Sequence, residues 1–223
     1  QEALDEAVNK ISSETGGVIS AIACDVTDAN QIETTFQKLI NDHGRVDILV
    51  NNAGTSSASP FDETSDEVWD YDIELKVYGA IRCSRIAVEH MKNQGGGRIV
   101  NITTPGGKAP GPSSVPTSVS RAAGIALTKA MSKDLASDNI LVNTVGVGLI
   151  KSGQHRRRWE KINEQDANVS LDDFYEDMGS RVPMGRVGEA KEVGSVVAFL
   201  VSDRGSYVTG ASINVDGGTS PVV

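Results

Sequence analysis

The sequence predicts a doubly wound α/β domain, a parallel sheet covered by helices on both faces. Short runs rich in Val and Ile alternate along the chain with stretches whose apolar residues recur every three or four positions. The runs are also too far apart for hairpins, at the separation that crossovers between parallel strands require. With 223 residues, 39% of them hydrophobic, and 23 glycines, the chain suits one domain, residues 1–223, and is too apolar to be disordered.

The elements follow in order. Leu4, Ala7, Val8 and Ile11 share one helical face, and Gly16-Gly17 stop that helix. Val18 to Cys24 reads as a buried strand ending at Asp25. Asp28 can cap the next helix, which turns Ile32, Phe36, Leu39 and Ile40 inward and ends at Gly44; Val46 to Val50 is the strand after it. Thr64-Ser65-Asp66-Glu67 reads as a capping box. It opens a long helix that carries Trp69, Ile73, Val77, Ala80, Ile81, Ser84, Val88 and Met91 along one stripe and stops at Gly95-Gly96-Gly97.

Arg98 to Ile102 is a strand, Ser118 to Ser137 a helix with Ala122, Ala126, Leu127 and Met131 inward, and Leu141 to Val145 another strand. Residues 148–187 read as an irregular, polar excursion with a short helix from Leu171 to Met178. Such excursions beside strand ends usually cover a ligand site. Glu189 to Val201 is helical, and Ala211 to Val215 is the last strand.

Composition removes several function classes. The formal net charge is -9, from 21 Lys+Arg against 30 Asp+Glu, which argues against nucleic acid and against anionic membrane surfaces. No apolar run approaches the length of a membrane helix. Cys24 and Cys83 are too few for a disulfide framework, so a reducing cytoplasmic setting is expected. There is no Cys/His cluster with metal spacing and no Gly-x-Ser-x-Gly elbow. A small-molecule partner remains.

Three segments are more specific than the fold: Asn51-Asn52-Ala53-Gly54 directly after a strand, Arg98-Ile99-Val100-Asn101-Ile102-Thr103-Thr104 as the next strand, and Tyr207-Val208-Thr209-Gly210 through Asn214-Val215-Asp216-Gly217-Gly218. In order and spacing they resemble the short-chain dehydrogenase/reductase family, over essentially the whole chain. The resemblance implies a Rossmann domain with strand order 3-2-1-4-5-6-7 and NAD(P)-dependent oxidation or reduction of a small alcohol or carbonyl. NAD and NADP are not distinguished.

Several site residues follow from the resemblance. Asp25 and Val26 take the place of the pair that meets adenine, although Asp25 can equally be a neighbour of the helix cap. Asn51, Ala53 and Gly54 let the adenosine ribose lie close to the backbone, and Ile102 belongs to the same cofactor-facing set. Val147, Gly148, Ile150 and Ser152 fall on the family's Pro-Gly-x-Ile-x-Thr segment, with valine in place of proline. The long helix and the small-residue helix resemble the pair that family members bury in homodimers and homotetramers.

The sequence departs from the family in two places. Members open with a strand, a glycine-rich phosphate turn, a helix and a second strand, none of which is in this chain, so the resemblance implies an N-terminally incomplete domain. Two absent central strands would leave a gap of roughly 14 Å between the strand at residues 18–24 and the strand at 46–50.

The other departure is chemical. The family's Asn-Ser-Tyr-Lys tetrad falls on Lys76, Thr104, Thr117 and Arg121. Thr104 can still orient a carbonyl oxygen. Thr117 lacks a phenol's acidity and reach, and Arg121 can fork donors onto ribose hydroxyls, yet stays protonated. Lys76 is either a replacement acid or an ion-pair partner of Glu74 or Asp72. The run His155-Arg156-Arg157-Arg158 either faces solvent or holds an anionic substrate group. The expected function is an oxidoreductase with altered or weak catalysis, the alternative a pseudoenzyme that binds nucleotide or forms oligomers.

Overall fold

The computed structural model describes residues 2–164 and 169–223. Four parallel strands form one sheet in the order β1-β2-β3-β4: Ile48–Asn51, Gly97–Thr103, Ile140–Val147 and Ser212–Val215. The register is continuous, with Asn51 opposite Asn101, Asn101 opposite Thr144, and Thr144 opposite Ser212. The helices are α1 (Glu2–Thr15), α2 (Ala29–His43), α3 (Asp66–Ile73), α4 (Gly79–Asn93), α5 (Thr117–Asp134), α6 (Gly153–Asn163), α7 (Leu171–Ser180) and α8 (Ala190–Val201).

Successive strand residues point to opposite faces, and the core divides accordingly. Ile99 and Val142 pack with Ala87, Met91 and Leu135, under α2, α4 and α5. Val100 and Val145 pack with Leu200 and the valines of α8 on the other face. A third cluster of Phe174, Met178 and Val187 ties α7 to Trp159 of α6, so most of the stretch expected to be irregular is two helices around a small core of their own.

Three expectations about these elements are corrected. Residues 18–24 do not form a strand: they pair with no ladder and Val18 is 99% exposed, because an apolar run needs a neighbour to donate and accept its backbone bonds. Helix α1 forms as expected but buries none of its residues. The capping box at 64–67 is absent; Ser65 is the N-cap, and the Thr64 hydroxyl turns back to the Pro60 carbonyl at 2.7 Å.

Helix α5 packs Met131 against the core as its apolar spacing predicts, but buries a different set of residues beside it. Ala122 and Ala126 are exposed, while Ser118, Ser120, Thr128 and Ser132 are buried. The hydroxyls turn inward because the sheet offers them partners. Asn51 Nδ2 donates to Asn101 Oδ1 at 2.8 Å, Asn101 Nδ2 to Thr128 Oγ1 at 2.8 Å, and the Thr144 hydroxyl meets Thr128 at 2.7 Å. This polar ladder crosses β1, β2, α5 and β3 and satisfies every member, as burial demands.

Candidate active site

The long helix expected from Thr64 to Met91 is interrupted at its middle. Between α3 and α4, residues Glu74–Tyr78 form a π-turn, and Lys76 lies inside it. Such widened turns are uncommon and are frequently found at functional sites. The four-residue spacing of Asp72 and Lys76 places them on one side. Their side chains are 0% and 1% exposed and form a direct ion pair. Glu74, the other partner open to Lys76, is taken by Arg82.

Helix α5 meets this pair with its first turn. Asp72 Oδ2 accepts from the Ser120 hydroxyl at 2.6 Å. Thr117 Oγ1 lies 3.2 Å from Lys76 Nζ, accepts from the Ser57 amide at 2.9 Å, and reaches Asp72 Oδ1 only at 3.5 Å, the outer limit for donation. Burial pushes the Lys76 ammonium below the ordinary lysine range; Asp72 acts against that shift and Arg121 adds to it. Burial likewise lowers the Arg121 guanidinium, which neighbouring Asp72 partly offsets.

Arg121 points from α5 across the ends of β1 and β2. Its Nη1 donates to the Ile102 carbonyl at 2.8 Å, and its Nε is buried without a partner. Gly54 makes room for it: a Cβ there would stand 2.9 Å from Arg121 Nη2. A cavity of about 450 Å³, counted to its open mouth, is lined by Val26, Asn51, Ala53, Lys76, Asn101 and Arg121 among others. Cys83 also lines it, and burial together with nearby Cys24 pushes its thiol up to about 11.

The structure thus brings Lys76, Thr117 and Arg121 together, with Val26, Asn51, Ala53, Gly54 and Ile102 around them. Other expected residues lie elsewhere. Thr104 follows β2 and stands at the N-cap position of the short turn Pro105–Gly107, without a capping bond from its side chain. The Asp25 carboxylate accepts from the Thr27 amide and hydroxyl at 2.9 and 2.8 Å, a local turn beside the α2 cap. Val147 ends β3, Gly148 is pressed so closely on Asp216 that a Cβ would stand 2.6 Å away, Ile150 lines a second cavity with Asn214 and Asp216, and Ser152 caps α6. The basic run 155–158 lies on α6, where burial and Arg158 lower His155.

Asp72 is legible in the sequence only as one possible partner of Lys76, through its four-residue spacing; Thr103 and Ser120 stand there only inside motif segments, with no site role, and nothing marks Ser57. Among the described residues no His, Cys, Asp or Glu cluster is placed to hold a metal, and no helix is long and apolar enough to cross a membrane.

Residues 1–220 match a family model described as enoyl-(acyl carrier protein) reductase. The chain belongs to the short-chain dehydrogenase/reductase family. Among its relatives in this family, a 3-oxoacyl-(acyl-carrier-protein) reductase of Thermotoga maritima is 35% identical over 202 residues, covering 91% of this chain and 77% of the relative. The L-sorbose reductase of Gluconobacter frateurii, solved with NADPH and L-sorbose, superposes with a TM-score of 0.93 at 27% identity, over 100% of this chain and 85% of that one. An NAD+-bound xylitol dehydrogenase does so with a TM-score of 0.84 at 31% identity, over 97% and 85%. The short-chain dehydrogenase/reductase fold expected from the sequence is therefore the fold observed.

Proposed function

We propose that the chain is an NAD(P)-dependent oxidoreductase that interconverts a small carbonyl and its alcohol, with Lys76 and Thr117 in place of the usual phenol. The observation that carries this is the 3.2 Å contact between Lys76 Nζ and Thr117 Oγ1, which sets a titratable donor against the hydroxyl at the phenol's position. The cradle at Gly54 fits a cofactor ribose: it seats the guanidinium of Arg121 beside Asn51 and Ala53, with donors left for neutral hydroxyls. Asp25, Val26, Gly148, Ile150 and Ser152 would hold the rest of the dinucleotide. The bound dinucleotide supplies the hydride for reduction, or accepts it in oxidation. Relatives solved with NADPH and with NAD+ support either form.

Lys76 is too deeply buried to reach a substrate itself, so Thr117 carries the proton. Its oxygen already accepts from Lys76 and Ser57, and its own proton is held weakly, 3.5 Å from Asp72. That proton can turn to a substrate oxygen while Lys76 replaces it. An aliphatic hydroxyl is a poor acid, so this relay is slower than a phenol. Losing positioned proton transfer outright costs about 10²- to 10⁴-fold. Arg121 stays charged and takes no part in proton movement.

A second reading, a nucleotide-binding or oligomer-forming pseudoenzyme, is favoured by the closure of the Lys76 side chain at 1% exposure under Asp72. Exposed Val119, Ala122 and Ala126 on α5 support assembly into a homodimer or homotetramer, and the paucity of cysteines supports a cytoplasmic setting. Carbonyl-dependent NADH or NADPH oxidation decides between the readings. The oxidoreductase predicts turnover that Lys76→Met abolishes and that Thr117→Tyr with Arg121→Lys raises. Dinucleotide binding without turnover in any of these proteins supports the pseudoenzyme.

A further inference from the structure

A hydroxyl has one proton to give and two lone pairs to accept with. Both lone pairs of Thr117 Oγ1 are taken: the Ser57 amide donates to it at 2.9 Å and Lys76 Nζ at 3.2 Å. Its proton is what remains to face a substrate oxygen.

An aliphatic hydroxyl that gives up that proton is left with a negative charge on one small oxygen. A fixed donor about 2.7–3.1 Å from a developing oxyanion accelerates its formation by about 10²- to 10³-fold. Ser57 lies inside that range and Lys76 just outside it. The amide also differs in kind, since it needs no counter-ion and keeps its proton throughout. Thr117 is the first residue of α5, an 18-residue helix whose N-terminal end adds a favourable field. The opposing charge of Asp72 is engaged by Lys76 and Ser120.

The loop that carries the amide is fastened to the segment that carries Thr117. Ser59 and Val115 form an antiparallel bridge, in which the Ser59 amide donates to the Val115 carbonyl at 2.9 Å. The Ser59 hydroxyl is tied in turn to Thr64 at 2.6 Å. Two residues beyond the bridge on either stretch, Ser57 and Thr117 meet. The donor is therefore in place before any charge develops, which is what preorganisation requires.

We propose that the Ser57 backbone amide is a catalytic donor, the fixed half of an oxyanion cradle that holds the charge of Thr117 once its proton has left. This role rests on the oxidoreductase reading. In carbonyl reduction the substrate carbon gains hydride from the reduced dinucleotide, which is thereby oxidised, and the substrate oxygen gains the Thr117 proton. The electron pair of the broken O–H bond stays on Oγ1, facing Ser57, until Lys76 gives up a proton; the neutral amine is recharged from solvent.

Ser57→Pro removes the N–H. Single-turnover reduction of ethyl acetoacetate, a small ketone, by the full chain loaded with NADH or NADPH is expected to slow by about 10²-fold in this variant. A Thr117→Val background separates the role from a structural one. There the amide has no oxygen to stabilise, and Ser57→Pro is expected to slow the residual rate no further. Unchanged turnover in Ser57→Pro, or equal slowing in both backgrounds, overturns the role and leaves the oxidoreductase reading standing. A wild type that reduces no small ketone overturns both. If Ser57→Pro does not fold, amide hydrogen exchange decides. The Ser57 N–H is expected to exchange at least tenfold faster in Thr117→Val than in the wild type or Thr117→Ser, and equal exchange in all three overturns the role.

Discussion

The Asp72 carboxylate joins two helices at once, binding Lys76 within its own helical run and Ser120 on α5. Both ion-pair side chains are out of solvent, so the pair can be broken only at the cost of an uncompensated charge. Asp72→Asn is expected to lower the unfolding free energy by about 3–5 kcal/mol. Asp72→Leu combined with Lys76→Met removes both charges and is expected to recover most of that loss. Urea unfolding of the two variants measures the difference.

Lys76 also fixes a pH dependence. Its folded-state pKa is lowered, chiefly by burial, so in the window between that value and the unfolded lysine value near 10.4 the unfolded chain binds more protons. Stability from this group is therefore lowest below the folded pKa and rises with pH through the window. Unfolding free energies of the wild type and Lys76→Met, compared from neutral to pH 10.5, are expected to move in the wild type's favour as pH rises.

The same sign holds at α8, in an acid window. Glu192 accepts both Arg186 nitrogens, at 2.9 and 2.7 Å, as well as the Glu189 amide at 2.8 Å. These bonds, Arg186 first, hold its carboxyl down at about 2. A depressed carboxylate contributes above its unfolded value and is lost as pH falls toward the folded one. The melting temperature of wild type over Glu192→Gln is expected to be higher near pH 6 and to converge with it between pH 4.5 and 2. A gap that persists at pH 2 contradicts the assignment.

Local patterns were enough to read most of the framework. Asp28 and Gly44 bound α2 as expected, with Gly44 at a φ of 75°, and four of the five expected strands pair in parallel where Val and Ile recur. The failures share a physical origin. Residues 18–24 have strand composition, but whether a strand forms depends on a neighbour, which composition does not report. The inner face of α5 is hydroxylic, so an apolar periodicity points the wrong way until Asn101 and Thr144 are seen beside Thr128. At the site, Lys76, Thr117 and Arg121 were legible from alignment of motifs, whereas the π-turn that delivers Lys76, and Ser120 beneath it, depend on packing between helices.

Thr117→Val tests the central claim most directly, since it removes one hydroxyl and keeps the side chain's volume. Single-turnover reduction of a carbonyl by the NADH- or NADPH-loaded protein is expected to slow by about 10²- to 10⁴-fold with dinucleotide affinity unchanged. An unchanged rate would contradict the proton path from Lys76 through Thr117.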